Sequence, residues 1–157
     1  MNPSIRELRE TDFAAIRGRV DMWWGRPIQG APQRLFFEHF LPMSRAAEAD
    51  GEVVGFIVGF HSQTHPEVAY AHFIGVAPES RKRGLARTLY ELFFEAARAR
   101  GCRTVESITG PVNVASIAFH RRLGFELLPS ETLVEGVPVS VDHDGPGQHR
   151  VRFRRSL

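Results

Sequence analysis

Hydrophobic and polar positions in the first half of the chain repeat with two periods, one typical of strands and one typical of helices. The two-residue period predicts strands over residues 4–9, 45–49, 53–61 and 68–76. Asp50 and Gly51 are a strong signal for a two-residue hairpin between the second and third of these strands. Helical spacing predicts one helix from a cap at Thr11 and Asp12 to about Trp24, and a second helix over residues 33–41.

The second half of the chain predicts a crossover between parallel strands. Leu85, Leu89 and Phe93 recur at helical spacing, so a helix reaching about residue 100 can bury one face against a sheet. A β-branched strand over residues 104–109 and a helix over residues 115–123 follow. Because strand, helix and strand in succession place two parallel strands side by side, we expect an α/β fold. The tail predicts two antiparallel strands, over residues 133–141 and 149–154, around a Gly/Pro-rich loop.

Length and composition limit the class of protein. The 157 residues suit a single domain over residues 1–157, and the net charge of +2 argues against a dedicated nucleic-acid binder. With Cys102 as the one cysteine, no internal disulfide can form, and we expect it to be a buried packing residue. The sequence has no apolar run near membrane-spanning length, no signal-peptide core behind Met1 and no metal-ligand spacing, so we expect a cytoplasmic protein without membrane contact or metal.

A basic turn stands between the strand over residues 68–76 and the helix that starts near Leu85. A helix that begins there points unpaired backbone N–H groups and the positive end of its macrodipole at one spot, which Gly84 and Ala86 leave uncrowded. Cations in a first helical turn oppose the macrodipole, so stability alone does not explain them. The turn therefore predicts an anion site suited to a pyrophosphate, with positive charge from Arg81, Lys82, Arg83 and Arg87.

Two motifs carry a resemblance to a known family. Arg81-x-x-Gly84-x-Ala86 resembles the acyl-CoA pyrophosphate motif of the GNAT family, the GCN5-related N-acetyltransferases. The segment from Asn113 to Phe125 is similar to that family's later motif, in which an Asn precedes a short helix ending in a Lys/Arg-x-Gly-Phe turn. The resemblance covers roughly residues 53–125. It implies a single-domain α/β fold with a mixed, centrally splayed β-sheet flanked by helices.

The same resemblance implies acetyl-CoA as co-substrate. The backbone of residues 83–87 would hold the phosphates, and Asn113 would hold the pantetheine arm. A backbone N–H near Ile74 to Val76 would polarise the thioester carbonyl, because a splayed strand presents an unpaired donor. The predicted cofactor-binding residues are Ile74, Gly75, Val76, Arg81, Lys82, Arg83, Gly84, Leu85, Ala86, Arg87, Asn113, Ser116 and Phe119.

The general base is less clear, because this sequence departs from the family at that point. Strict alternation puts Tyr70, His72, Ile74 and Val76 on one face of their strand. The family's frequent base, a Glu, would fall near Tyr70, where this chain has no acid. His72 is the best local substitute, since the pKa of a free histidine is about 6.5. A packed strand histidine is the alternative for His72, and Glu106 on the neighbouring strand is the rival base, acting directly or through a water.

A second departure concerns the proton that the leaving thiolate needs. His120 stands where many family members carry a Tyr whose hydroxyl can supply it. A histidine can donate that proton only while it is protonated. The alternative for His120 is an inert, partly exposed helix residue.

The acceptor has to be inferred from the N-terminal half. Trp23, Trp24, Phe36 and Tyr70 are candidate substrate-binding residues, with Arg26 nearby, although core packing also explains the aromatic side chains. Trp23 and Trp24 cannot both face inward on one helix.

The expected function is direct transfer of an acetyl group to the primary amine of a small-molecule or peptide acceptor. A catalytically inactive acyl-CoA-binding sensor or partner module is the alternative, because the expected Glu and Tyr are both replaced. We expect no nucleic-acid partner, and the β-rich tail could pair across the edge of a homodimer.

Overall fold

Residues 2–157, which the computed structural model describes, form a seven-stranded sheet with helices against both faces. In sheet order the strands are β1 (Ser4–Glu7), β2 (Arg45–Ala49), β3 (Glu52–His61), β4 (Val68–Val76), β5 (Thr104–Thr109), β9 (Val151–Ser156) and β6 (Glu126–Leu127). The helices are α1 (Asp12–Trp24), α2 (Arg34–His39), α3 (Leu85–Ala99) and α4 (Val114–Arg122). A separate hairpin consists of β7 (Leu133–Val134) and β8 (Val137–Pro138).

The expected mixed α/β sheet is confirmed. β4 and β5 are parallel, and the other neighbours in the sheet are antiparallel. The apolar face predicted for α3 packs on the sheet, with Leu85, Leu89 and Phe93 all buried. No helix within residues 2–157 has both the length and the apolar character needed to cross a bilayer.

The two parallel strands separate part-way along their length. β4 pairs with β5 over only three positions, from Val68 opposite Thr104 to Tyr70 opposite Glu106. At the next position, the Ser107 hydroxyl donates a hydrogen bond of 2.9 Å to the carbonyl of Ala71, so a side chain takes the place of the backbone ladder. The expected splay is therefore present, and it opens a gap between the second halves of β4 and β5.

A β-bulge at His72 changes which side chains of β4 share a face. Val58 of β3 lies opposite Phe73 and Gly59 lies opposite Ala71, which leaves His72 without a partner in the register. A Cβ added at Gly75 would stand 2.6 Å from the ring of Trp24, so Gly75 faces α1. The predicted strict alternation is therefore wrong beyond His72, because the extra residue moves Phe73 and Gly75 onto the face of Tyr70.

The prediction for the C-terminal tail is also wrong in part. Residues 133–141 do not form one strand, because Glu135 and Gly136 adopt left-handed backbone conformations, with φ of 49° and 78°, and turn the chain into the β7–β8 hairpin. β9 lies between β5 and β6 and pairs with both, and the isolated bridge between Ser140 and Arg150 lies just before it. Val151 and Phe153 of β9 are fully buried, so burial against the core determines its position.

Candidate active site

The turn before α3 leads into the helix through left-handed backbone conformations. Lys82 and Gly84 adopt left-handed conformations, with φ of 61° and 78°. Gly84 caps α3 without any side-chain hydrogen bond, and a Cβ at Gly84 would meet no atom within 4 Å. The amide of Thr88 is bonded to the Gly84 carbonyl, so the amides of the three residues before it have no acceptor within the helix. Unpaired donors thus face open space, as the sequence predicts.

The basic side chains of this turn differ in what they contact. Arg81 folds back: its Nε donates to the carbonyl of Val76 at 3.0 Å, and its Nη2 donates to the carbonyl of Trp23. The guanidinium therefore joins the end of β4 to the end of α1. Arg87 donates from Nη2 to the carbonyl of Arg122 at 3.2 Å and so connects α3 with the end of α4. Lys82 and Arg83 are exposed.

A cavity of about 400 Å³ extends from this turn between the end of β4 and the start of α4. We call this cavity the groove. Its lining includes eight of the predicted cofactor-binding residues, both tryptophans and His120. Its lining is Trp23, Trp24, Ile74, Gly75, Val76, Arg81, Ala86, Asn113, Ala115, Ser116, Phe119 and His120. Arg83 and Leu85 instead line a larger cavity of about 650 Å³, whose other walls include Asn2, Asp50 and Glu52.

A third cavity, of about 200 Å³, lies in the gap between β4 and β5, and we call it the inner cavity. Its lining is Trp24, Arg26, Ile28, Ala31, Ala71, His72, Phe73, Ile74, Tyr90, Ser107, Ile108, Thr109, Asn113, Ser116 and His120. Five residues line both the inner cavity and the groove: Trp24, Ile74, Asn113, Ser116 and His120. The two spaces therefore adjoin where the strands separate.

His72 presents a free imidazole to the inner cavity. Its ring stacks on Phe36, with centroids 3.9 Å apart and planes 16° from parallel. Burial lowers the pKa of His72 below its usual value. The two ring nitrogens of His72 have no hydrogen-bond partner within residues 2–157. In the same part of the chain, every side-chain nitrogen or oxygen that is inaccessible to solvent has such a partner. The ring nitrogens are therefore accessible, and His72 belongs to the lining of the inner cavity.

Glu106 is held by an ion pair outside the two cavities. Both Nε and Nη2 of Arg154 donate to its Oε1, at 2.9 and 2.6 Å. The residue does not belong to the lining of the groove or of the inner cavity. The negative charge of the Glu106 carboxylate is thus already balanced by the Arg154 guanidinium.

His120 is buried rather than partly exposed, with 4% of its surface accessible. Its Nδ1 lies 2.8 Å from the carbonyl of Ser116, and its Nε2 lies 2.8 Å from the hydroxyl of Tyr90. Because a carbonyl only accepts, the neutral ring carries its proton on Nδ1, and Nε2 accepts from Tyr90. The ring also stacks on Phe153 at 4.4 Å. Burial lowers the pKa of His120, and the Ser116 carbonyl opposes that shift in part.

Tyr90 and Ser107 are site residues that the sequence does not reveal. Tyr90 lies on the buried face of α3, next to Leu89, and both Tyr90 and Ser107 line the inner cavity. Burial raises the pKa of Tyr90, and the neighbouring Ser107 hydroxyl offsets part of the rise. The one available signal is that a buried histidine needs a partner for each of its nitrogens.

The four predicted substrate-binding residues lie in two settings. Trp23 is buried against Phe56, and Trp24 is half-buried, stacks on Phe73 at 5.2 Å and lines both cavities. Because Phe56 and Phe73 contact each other, both tryptophans pack toward the same face of the sheet, and the expectation that they could not both face inward is wrong.

Phe36 and Tyr70 lie in the second setting, beside the inner cavity without lining it. Phe36 covers His72, and Tyr70 stacks on Phe60 with the two ring centroids 5.5 Å apart. Burial, with the negative charges of Asp144 and Glu106, raises the pKa of Tyr70 to about 12.

The comparison with known proteins decides the family. Residues 3–125 match the model of the acetyltransferase (GNAT) family. The chain belongs to the GNAT family. A relative from Pectobacterium atrosepticum, described as acetyltransferase ECA0875, is 29% identical over 137 residues, which cover 82% of this chain and 92% of that protein.

Two solved structures share the GNAT fold of this chain. The ribosomal-protein-S18-alanine N-acetyltransferase of Escherichia coli superposes with a TM-score of 0.73 and is 18% identical, covering 99% of this chain and 94% of that one. YncA of Salmonella typhimurium, solved with its cofactor acetyl-CoA, has a TM-score of 0.68 and is 20% identical, covering 100% of this chain and 95% of that one.

Proposed function

We propose that this GNAT protein transfers an acetyl group from acetyl-CoA directly to the primary amine of a small-molecule or peptide acceptor. The observation that carries the proposal is the junction of two cavities at the gap between β4 and β5. The groove leads to that junction from the N-terminus of α3, and the inner cavity presents a free imidazole to it. A thioester in one space and an amine in the other would meet without a covalent enzyme intermediate.

The groove suits the acyl-CoA. Its phosphates would lie against the amides of residues 83–87, where the positive end of the α3 macrodipole and the exposed cations Lys82 and Arg83 favour negative charge. The pantetheine arm would follow Asn113, Ser116 and Phe119 along the groove. A backbone N–H near Ile74 to Val76, beyond the last paired position of β4 and β5, would polarise the thioester carbonyl.

His72 is our candidate for the general base. It would take a proton from the ammonium form of the acceptor, and the freed amine would attack the thioester carbon, forming a C–N bond as the C–S bond breaks. The lowered pKa of His72 keeps the imidazole unprotonated near neutral pH, which is the form a base requires. Glu106 is less suited to this role, because Arg154 already binds its carboxylate.

We assign the proton of the leaving thiolate to His120. In the neutral ring the Nδ1 proton points to the Ser116 carbonyl and Nε2 accepts from Tyr90, so donation requires the imidazolium form, whose Nε2 proton would reach the thiolate by way of the Tyr90 hydroxyl. Because burial lowers the pKa of His120, this donation grows only as the pH falls below the usual range of histidine. Above that range, water in the groove would supply the proton.

The phosphate site is tested with a pair of glycine variants. Gly84 and Gly101 have nearly the same left-handed backbone, with φ of 78° and 80°, and an added Cβ would contact nothing at either position. Gly84→Glu puts a carboxylate at the anion site, whereas Gly101→Glu creates similar strain beyond the far end of α3. We expect calorimetry to detect CoA binding to the Gly101 variant and none to the Gly84 variant, with both folded by circular dichroism. Equal CoA affinities would contradict the proposed site.

Turnover separates the enzyme from an inactive acyl-CoA sensor. Release of free CoA thiol from acetyl-CoA is measured with and without a panel of primary amines. Amine-dependent release supports the transferase. Tight acetyl-CoA binding with no amine-dependent release across the panel would favour the sensor.

A further inference from the structure

The inner cavity has an unusual charge balance for an enzyme that acts on an amine. Its lining contains the cationic side chain of Arg26 and neither an aspartate nor a glutamate. An acceptor with a second positive charge would leave water there without gaining a carboxylate partner. The lining thus disfavours polycationic acceptors such as polyamines.

The loop that carries Arg26 is anchored to α1. Gly25 ends the helix in a left-handed conformation, with φ of 67°. The amide of Arg26 donates to the carbonyl of Asp21 at 3.2 Å, and the carboxylate of Asp21 accepts from the amide of Ile28 at 2.6 Å. These bonds hold the backbone on either side of Arg26 at the cavity wall, and its exposed side chain forms part of the lining.

A second guanidinium without a partner stands beside the same cavity. Arg150, Arg152 and Arg154 alternate along the C-terminal segment, and Arg152 lies opposite Ile108, a residue of the cavity lining. Arg154 binds Glu106, and Arg150 binds Asp144 at 2.6 Å.

Arg152 lies between these two ion pairs and forms none within residues 2–157. It shares the sheet face of Arg154 and Glu106, because all three occupy alternating paired positions of β5 and β9. The positive charge of Arg152 also acts on the hydroxyl of Tyr70, where it opposes the rise in pKa caused by burial. Arg152 thus lies beside Ile108 of the cavity lining, on the side of Tyr70, where the paired carboxylates Glu106 and Asp144 also act.

We infer that the acceptor carries an anionic group, in the simplest case a carboxylate, which is bound by Arg26 and Arg152 while the amine faces His72. This inference rests on the proposed function and names its acceptor class. A guanidinium binds a carboxylate through paired, charge-assisted hydrogen bonds, which suits recognition of this kind. The volume of about 200 Å³ is below that of sites for drug-sized ligands, so the acceptor is small, on the scale of a free amino acid.

The experiment compares amines that differ only in the carboxylate. Acetyl-CoA is supplied with glycine and methylamine, β-alanine and ethylamine, and phenylalanine and phenethylamine, and kcat/KM is obtained from thiol release. If a guanidinium binds the carboxylate, kcat/KM for the best amino acid should be roughly 10- to 100-fold higher than for the amine that lacks the carboxylate. Spermidine is included as a polycationic acceptor and is expected to be poor.

Two arginine variants locate the effect. Arg26→Gln and Arg152→Gln should each raise KM for the amino acid by roughly tenfold, with little change for the decarboxylated amine. Arg17→Gln is the matched control, since it removes one exposed guanidinium from α1 away from the cavity, and it should change neither value.

Three outcomes would overturn the inference. If the decarboxylated amines or spermidine gave the same kcat/KM as the amino acids, the enzyme would not recognise an anionic group. Arginine variants that impair both amine classes equally would show a general effect on the fold. If CoA binds but no amine of either class is acetylated, the proposed function itself fails and the acceptor class fails with it.

Discussion

The hydroxyl of Tyr90 lies 2.8 Å from Nε2 of His120, across the boundary between α3 and α4. Both side chains are almost fully buried, and the Ser116 carbonyl occupies the other ring nitrogen. The pair therefore fixes the tautomer and the orientation of the imidazole at the place where the groove meets the inner cavity. His120 replaces the tyrosine that the GNAT motif often carries there, and a tyrosine from a different helix reaches its ring.

Replacing Tyr90 by phenylalanine should test whether this orientation matters for turnover. Loss of the hydroxyl leaves Nε2 of His120 buried without a donor, which should cost about 1–3 kcal/mol of unfolding free energy. We expect a larger fall in kcat than change in KM for acetyl-CoA, because the ring loses its fixed orientation next to the proposed thioester site. Urea unfolding and steady-state kinetics measure the two effects. If stability fell while kcat stayed the same, the contact between Tyr90 and His120 would serve packing alone and not turnover.

The pH dependence of the rate tests His72. A base works in its unprotonated form, so kcat/KM should fall as the pH drops through the pKa of His72. Because burial lowers that pKa, the acidic limb should lie below the usual histidine value of about 6.5. His72→Ala should lower kcat/KM by roughly 10²- to 10⁴-fold and abolish this limb.

Two variants serve as controls for His72. His65→Ala, at an exposed position of the loop before β4, should leave both the rate and the limb unchanged. Glu106→Gln should retain the limb, since Arg154 already binds that carboxylate. If the acidic limb persisted in His72→Ala and disappeared in Glu106→Gln, Glu106 would be the general base.

The sequence predicts those parts of the site that depend on local chemistry. Gly84 and Asn113 could be found because a left-handed cap and a side-chain cap are set by one residue and its nearest neighbours. The bulge at His72 could not be found, because register depends on the partner strand β3. The contact of Tyr90 with His120 spans thirty residues and depends on how two helices pack.

Arg81 offers a test of how the groove and the acceptor side are connected. Its guanidinium bonds the carbonyls of Val76 and Trp23, so Arg81→Met should free the end of α1, where Trp24 and Arg26 form walls of the inner cavity. Hydrogen bonds to a charged group contribute about 1.5–3 kcal/mol each. Because the variant loses these bonds, we expect KM for the acceptor to rise by about tenfold or more.

The matched control for Arg81 is Lys82→Met, which removes an exposed charge from the same turn. Its effect should be confined to CoA affinity and should weaken at high salt. Kinetics with each substrate varied in turn, together with CoA calorimetry, separate the two patterns. An Arg81 variant that loses only CoA affinity would show that this side chain serves the phosphates.

Asp12 should make the stability of the fold depend on pH. Arg6 binds both of its carboxylate oxygens, at 2.8 and 2.9 Å, and the amide of Arg9 donates to it at 2.8 Å. Burial alone would raise the pKa of Asp12, but these hydrogen bonds outweigh it and lower the pKa. Because the folded pKa is below the unfolded value of about 3.9, the stabilisation is complete above that value and is lost as the pH falls through the folded pKa.

Asp12→Asn should therefore destabilise the protein by about 1.5–3 kcal/mol near neutral pH, since it weakens the charge-assisted hydrogen bonds from Arg6, which keeps Glu48 as its other carboxylate partner. The difference in unfolding free energy between the variant and the wild type should shrink as the pH drops below about 4. Glu52→Gln is the control, because it breaks the exposed Arg19–Glu52 pair and should cost less than about 1 kcal/mol at any pH. Urea unfolding at a series of pH values measures both, and a pH-independent deficit for Asp12→Asn would mean that the loss is one of packing rather than of charge.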